Sequence, residues 1–232
     1  MRSEDLPAIG RLPLFADMDR DLFADLMQAA YLQIFPPQVE LIREGDPADF
    51  LHVVVEGRVE LFAKSNGRES TLALVEPVST FILAAVLKDA VYLMSARTTE
   101  KSRLLLIPSQ DIRQAFRQDD AFARAIVVEL ASRYRAVVKD HKNHKLRTAV
   151  ERLANCLIAM DARQGAKGRI TLPYDKKTLA SLLGMTAENL SRAFNTLKPY
   201  GVEVNGAEIA LTRPADLKGL AKPNVLIDDE MS

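Results

Sequence analysis

The sequence predicts an α+β chain in three parts: an antiparallel β-roll in front, one long helix in the middle, and a helical module with a hairpin behind. Three observations carry this prediction. Between Tyr31 and Pro108, short runs rich in Val, Ile, Leu and Phe alternate with turn signals. Between Ser109 and about Asp140, the apolar period becomes that of a helix. Between Lys176 and Val204, two short amphipathic segments flank Gly184 and lead into the turn dipeptide Asn205-Gly206.

A short helix comes first, over 19–30, with Leu22, Phe23, Leu26 and Met27 on one face. The strand segments follow: YLQIF, VELIR, DFLHVVV, RVELFAK, STLALVE, VYLMSART and SRLLLIP. Pro36-Pro37, Gly45-Asp46-Pro47, Gly57 and Asn66-Gly67 supply the breaks between them. Strands this short and closely spaced make an antiparallel sandwich or roll. In the long helix, Val127, Leu130, Tyr134, Val137, His141 and His144 recur at alternating spacings of 3 and 4, an a/d seam. We expect this seam, Val127, Leu130, Tyr134 and Val137 above all, to meet a second copy of the chain. A helix buried only against its own domain is the alternative.

The polar stretch 139–147 predicts a hinge, after which TAVERLANCLIAM forms a helix with Val150, Leu153, Leu157 and Ile158 on one face. The turn 161–169 and the short strand ITLPY come next. The expected domains are a roll over 1–110, a dimerisation helix over 111–142, a winged module over 146–220 and a disordered polar tail over 221–232.

Composition narrows the class. With 232 residues, 48% hydrophobic and 27% charged, the chain can bury a sizeable core. No run approaches the ~18 apolar residues of a membrane span. Glu4, Asp5 and Pro7 at the start are unlike a secretory leader, so a cytoplasmic location with no membrane partner is expected. The single cysteine, Cys156, rules out an intrachain disulfide, a four-thiolate iron–sulfur cluster and a zinc ribbon. The net charge is zero but unevenly spread: residues 145–220 hold 12 Lys/Arg against 7 Asp/Glu, and residues 1–144 hold 18 against 21. A basic back half suits contact with phosphates there.

The sharpest signal lies in 176–204. Leu179, Leu182 and Leu183 give one helix an apolar face, and Gly184 ends it where a positive φ lets the chain turn. Thr186 caps a second helix whose Leu190, Phe194 and Leu197 face inward. Glu188, Asn189, Ser191, Arg192 and Asn195 remain for the outer side, and together with Thr186 they are the expected DNA contacts. In a major groove, arginine donates twice to guanine, glutamate accepts from the cytosine amine, and serine serves either role. The Asn205-Gly206 hairpin adds a wing for backbone contacts.

The spacing Glu188-x-x-Ser191-Arg192 resembles the recognition helix of the FNR branch of the CRP/FNR superfamily. Ala187 and Ser191 depart from the Arg-Glu-x-x-Gly-Arg of the catabolite-activator branch. LPLFADMD (12–19) and EGDPADFLHVVVEGRVELF (44–62) extend the resemblance over most of the chain. It implies a cyclic-nucleotide-binding-like β-roll and a winged helix-turn-helix, and no enzyme. It further implies a homodimeric transcription regulator on double-stranded DNA with TTGAT-type half-sites, and RNA polymerase as a further partner.

The same resemblance implies where an effector sits and what it is not. Family members that bind cyclic AMP hold it with a Gly-Glu and an Arg-Ser pair. Here no Gly-Glu pair occurs after Glu76, and with SART (95–98) aligned, the Arg-Ser falls on Ala90-Val91, so no cyclic nucleotide is expected. The N-terminal cysteine cluster of the oxygen-sensing branch is missing too, so no iron–sulfur cluster is expected.

The expected effector pocket is apolar: Phe81, Leu83, Tyr92 and Met94 from the roll, with Leu130 and Tyr134 from the long helix. Haem sensing nitric oxide, with His52 as ligand, is the first reading, and an aromatic acid, another small metabolite or no ligand is the alternative. His141 and His144 are either polar seam residues that set register or a metal- or pH-sensitive hinge. A cupin-type enzyme would need more histidines in the roll than His52 alone.

Overall fold

The computed structural model describes residues 6–229 and divides the chain into two compact units, Met1–Arg133 and Tyr134–Ser232. Glu4 and Asp5 of the leader argument, and the last three residues of the tail, lie outside the described residues.

The first unit opens with α1 (Leu6–Gly10) and α2 (Arg20–Ala29), the latter capped by Asp19, whose carboxylate accepts from the backbone N–H of Asp21 and Leu22. Eight strands follow: β1 (Tyr31–Phe35), β2 (Glu40–Ile42), β3 (Phe50–Glu56), β4 (Val59–Ser65), β5 (Arg68–Val75), β6 (Ser79–Phe81), β7 (Ser95–Thr98) and β8 (Ser102–Pro108). They form two four-stranded antiparallel sheets, ordered β1-β8-β3-β6 and β2-β7-β4-β5. Leu51, Val53, Leu105 and Ile107 from one sheet and Val59, Leu61 and Ala96 from the other enter a single core. Burial at about 25 cal/mol per Å2 of apolar surface is what holds the two sheets together.

A helix stands between two of the expected strands, and one of those strands is shorter than expected. Residues Leu83–Lys88 form a helix, α3, entered through Ile82 at φ 69° and left through Asp89 at φ 51°. In the segment read as VYLMSART, only Ser95–Thr98 is a strand; Val91 makes a single bridge to Pro47. Leu83 and Val86, three residues apart on α3, are both drawn into the core.

Two further helices follow, α4 (Ser109–Gln118) within the first unit and the long α5 (Asp120–Leu146), which runs past Arg133 into the second. Asp119 between them is buried and caps α5 by accepting from Ala121 N and Phe122 N, while its other oxygen accepts from Asp19 N at 2.7 Å. Burial pushes this carboxyl up, but the three N–H bonds outweigh it and leave it below its ordinary value.

The expected hinge over 139–147 is corrected here. α5 runs unbroken to Leu146, because 139–146 contains no Gly or Pro to stop it. The break is confined to Arg147 and Thr148. Thr148 starts α6 (Ala149–Arg163) with a capping box: its Oγ1 accepts from Glu151 N, and the Glu151 carboxylate accepts from Thr148 N.

The second unit then holds β9 (Arg169–Thr171), α7 (Lys176–Leu182), α8 (Ala187–Leu197), β10 (Val202–Asn205), β11 (Glu208–Leu211) and α9 (Pro214–Ala221). The three strands form one antiparallel sheet, β10-β11-β9, with Asn205 opposite Glu208 around the Gly206 turn. Leu153, Leu157, Ile170, Leu179, Leu190, Leu197, Val202 and Leu217 make its core. The disordered tail is also corrected: Val225–Asp228 form a last helical turn, α10, with Asn224 as its cap. Arg147 pairs with the Asp228 carboxylate of this turn at 2.6 Å, a contact that composition does not reveal.

Candidate functional site

The α7–α8 pair is built around one sharp turn. Asp175 caps α7, accepting from Thr178 N at 2.7 Å, and Leu179 and Ala180 are buried beneath it. Gly184 then takes φ +62°, a region that an L side chain enters only with strain. A Cβ at Gly184 would also stand 2.6 Å from Cε1 of His144, the last histidine of α5. Thr186 starts α8, its Oγ1 accepting from Asn189 N at 3.2 Å.

The burial pattern of α8 separates two sides cleanly. Leu190, Ala193, Phe194 and Leu197 are buried, whereas Glu188, Asn189, Ser191, Arg192 and Asn195 are exposed. Arg192 Nη2 donates to Asn189 Oδ1 at 2.6 Å, so the guanidinium is held along the helix surface with its remaining donors outward. The Thr186 hydroxyl, with the backbone and the Arg192 charge, holds the Glu188 carboxyl below its ordinary value, so it is ionised and ready to accept. Thr186 and Asn189 thus have work within the helix itself. Glu188, Ser191, Arg192 and Asn195 form an exposed donor-and-acceptor stripe along the helix.

Two residues that sequence reasoning passed over support this element. Arg152 of α6 donates through Nε to Leu183 O and through Nη1 to Arg147 O, each at 2.9 Å. It thereby ties the turn of the helix pair to the α5–α6 junction. Arg147 donates twice to the Asp228 carboxylate, both bonds at 2.6 Å. No local signal marks these contacts, whose partners lie 5 to 81 residues away in sequence.

In the roll, Phe81, Leu83 and Tyr92 are buried in the core, and Met94 and Leu130 pack against it, whereas Tyr134 is 70% exposed. Five of the six expected pocket residues thus belong to the roll's core or pack on it, and Tyr134 falls in the second unit. Where a cyclic nucleotide's phosphate needs a cation and free donors, this chain places Ala90-Val91, with Ala90 O and Val91 already engaged by the backbone at Ala48 and Pro47. The nearby Arg113 guanidinium is taken by Val86 O and Asp89. These residues do not fit a cyclic nucleotide.

His52 stands in β3 opposite Phe81, only 2% exposed, with the two rings stacked at 5.0 Å. Its Nδ1 has no hydrogen-bond partner. Burial depresses its pKa from 6.5 to about 4, so the ring is neutral. A haem has several times the area of the Phe81 ring, and seating one on His52 would require dismantling this closed stack. The packing here does not fit haem. Among the described residues no group of three or more His, Cys, Asp or Glu could hold a metal ion. Burial pushes the Cys156 thiol up to about 11, far from a reactive thiolate.

The seam positions on α5 are open: Val127, Tyr134 and Val137 are 60%, 70% and 65% exposed, and Leu130 faces the roll core. His141 is exposed, and His144 lies against Gly184 with Asp140 Oδ1 3.4 Å from its Nε2.

A β-roll followed by a helix-turn-helix with a stranded wing defines a class: DNA-binding transcription regulators that carry a cyclic-nucleotide-binding-like domain. The cyclic nucleotide-binding domain model matches residues 32–119, and the Crp-like helix-turn-helix domain model matches residues 151–220. The chain is 27% identical over 186 residues to the cyclic AMP receptor protein of Thermus thermophilus, covering 80% of this chain and 85% of that one. It is 24% identical over 220 residues to the transcriptional activator protein FnrA of Stutzerimonas stutzeri, covering 90% and 88%. The structure of FixK2 from Bradyrhizobium japonicum superposes with a TM-score of 0.70 at 25% identity, covering 84% of this chain and 98% of that one. The chain belongs to the CRP/FNR family of transcription regulators. Among the described residues no helix is long and apolar enough to cross a membrane.

Proposed function

We propose that this regulator acts as a homodimer, in the cytoplasm, on a palindrome of TTGAT-type half-sites, without a cyclic nucleotide. The observation that carries the reading is the α8 stripe: Glu188, Ser191, Arg192 and Asn195 exposed on a helix whose other side is wholly buried. Arg192 reads guanine, Glu188 the cytosine amine, and Ser191 the intervening position. Dimerisation along Val127, Tyr134 and Val137 sets two such helices one duplex turn, roughly 34 Å, apart. Signal reaches them as a population shift: a small non-nucleotide effector among Phe81, Leu83, Tyr92 and Met94 alters the packing of Leu130 and hence of α5. RNA polymerase is the downstream partner.

The closed packing of Phe81, Leu83, Val86 and Tyr92 favours a second reading, a regulator whose roll core is already filled and which binds DNA with no effector. One experiment tests both. Protein purified without additives is titrated onto a TTGAT palindrome and onto a palindrome with the guanines replaced. Base-specific protection of the first alone supports the reading. Equal affinity for the two overturns it. Full affinity without additives selects the effector-free form.

A further inference from the structure

The segment Asn224–Asp229 lies beyond the matched helix-turn-helix model, which ends at residue 220, and yet four hydrogen bonds from three side chains fasten it to the end of α5 and its junction with α6. Lys139 Nζ donates to Asp229 O at 2.5 Å, and Lys142 Nζ to Leu226 O at 3.3 Å. Arg147 donates bidentately to Asp228 and also to Asn143 Oδ1 at 3.1 Å. Within the segment, Asn224 caps its own turn, accepting from Leu226 N, while Asn224 N donates to Asp228 Oδ2 at 2.6 Å. The segment is a strap, and its buckle is the Arg147–Asp228 pair, whose side chains are 7% and 27% exposed.

Position gives the strap its meaning. At about 100° per residue, Lys139, Lys142 and Asn143 lie on the side of α5 opposite Tyr134, Val137, His141 and His144. The strap therefore leaves the seam free. It grips instead the break between α5 and α6, at Arg147-Thr148, and it grows out of α9, which packs on α6 in the DNA-reading module. Arg147 is shared: its backbone O accepts from Arg152, which also holds the Leu183 carbonyl at the turn before α8. A partly buried bidentate arginine–carboxylate pair is directional, so it resists rotation about the junction better than a point contact does. Removing one partner leaves the other ion partly buried without compensation.

We propose that the strap is a positioning element: through Asp228 and Arg147 it fixes the angle between the long helix and the reading module, and so the separation of half-sites that the dimer accepts. Neither residue touches DNA. The inference rests on the homodimer and palindrome reading above. Its test uses the full chain and variants D228A, D228N and the exchanged pair R147D/D228R, on palindromes at the best spacing and at one base pair more or less. A single half-site duplex serves as control.

For the wild type, affinity at the best spacing should exceed the others by about tenfold, or roughly 1.4 kcal/mol. D228A should reduce that preference to within about threefold, while single half-site affinity and dimerisation stay unchanged. The exchanged pair should restore the preference. If D228A does not fold, D228N, which keeps the side-chain shape, takes its place. A variant with wild-type spacing preference overturns the proposal even though the palindrome reading stands. A wild type that binds the palindrome no better than the half-site overturns the palindrome reading and the proposal with it.

Discussion

Lowering the pH should weaken the roll through His52 in particular. Its ring is neutral and enclosed, with a pKa near 4 in the folded chain against 6.5 when free. Above about pH 6.5 both states are neutral, and His52 adds no pH dependence. Between 6.5 and 4 the unfolded chain takes a proton that the folded chain refuses, so stability falls as pH falls. Below about 4 both are protonated and the loss stops growing. At 1.36 kcal/mol per pKa unit, the full loss is about 3 kcal/mol.

Other groups, Asp119 among them, also lose stability in acid, so the informative quantity is the difference between wild type and His52→Leu at each pH. Urea unfolding followed by circular dichroism, with amide exchange of β3 to identify the roll transition, supplies it. The leucine variant should gain on the wild type by about 2–3 kcal/mol between pH 7.5 and 4.5. A difference constant across that range would refute the argument and mean that the ring finds a proton acceptor or water on acidification.

Three further outcomes follow. Arg192→Lys should cost about 1–3 kcal/mol of discrimination at the guanine position, read by anisotropy on matched and substituted palindromes, since lysine lacks the bidentate fork. Asp119→Ala removes the cap of α5 and the acceptor for Asp19 N, and should lower stability by about 1–2 kcal/mol in urea. Val137→Asp places a charge on the exposed seam and should abolish dimerisation and operator binding together, checked by sedimentation and gel shift. A monomer that kept operator affinity would contradict that coupling.

The architecture was legible because each part has its own period. The roll's strands are bracketed by Gly57 and Asn66-Gly67, and α7 and α8 are separated by a glycine at positive φ where a larger residue would be strained. The exposed stripe of α8 could likewise be read from Leu190, Phe194 and Leu197 facing the other way. α3 was not legible, since LAAVLK is too short and too uniformly apolar for periodicity to tell helix from strand. The run 139–147 looked like a hinge because it is polar, but polarity exposes a helix without ending it. The strap escaped because its order depends on partners in α5 and at Arg147, up to 90 residues distant.

The bond from Arg192 to Asn189 has a consequence for how such a regulator changes its targets. Immobilising a long side chain at an interface costs roughly 0.5–1.5 kcal/mol, and here the free protein has already restricted Arg192. Part of the preference for one operator over another then depends on the side chain that holds the arginine, whatever that side chain itself contacts. Drift at Asn189 alone would redistribute affinity across a genome's sites while the reading residues stayed the same, so two regulators with identical Glu-Ser-Arg stripes need not share a regulon.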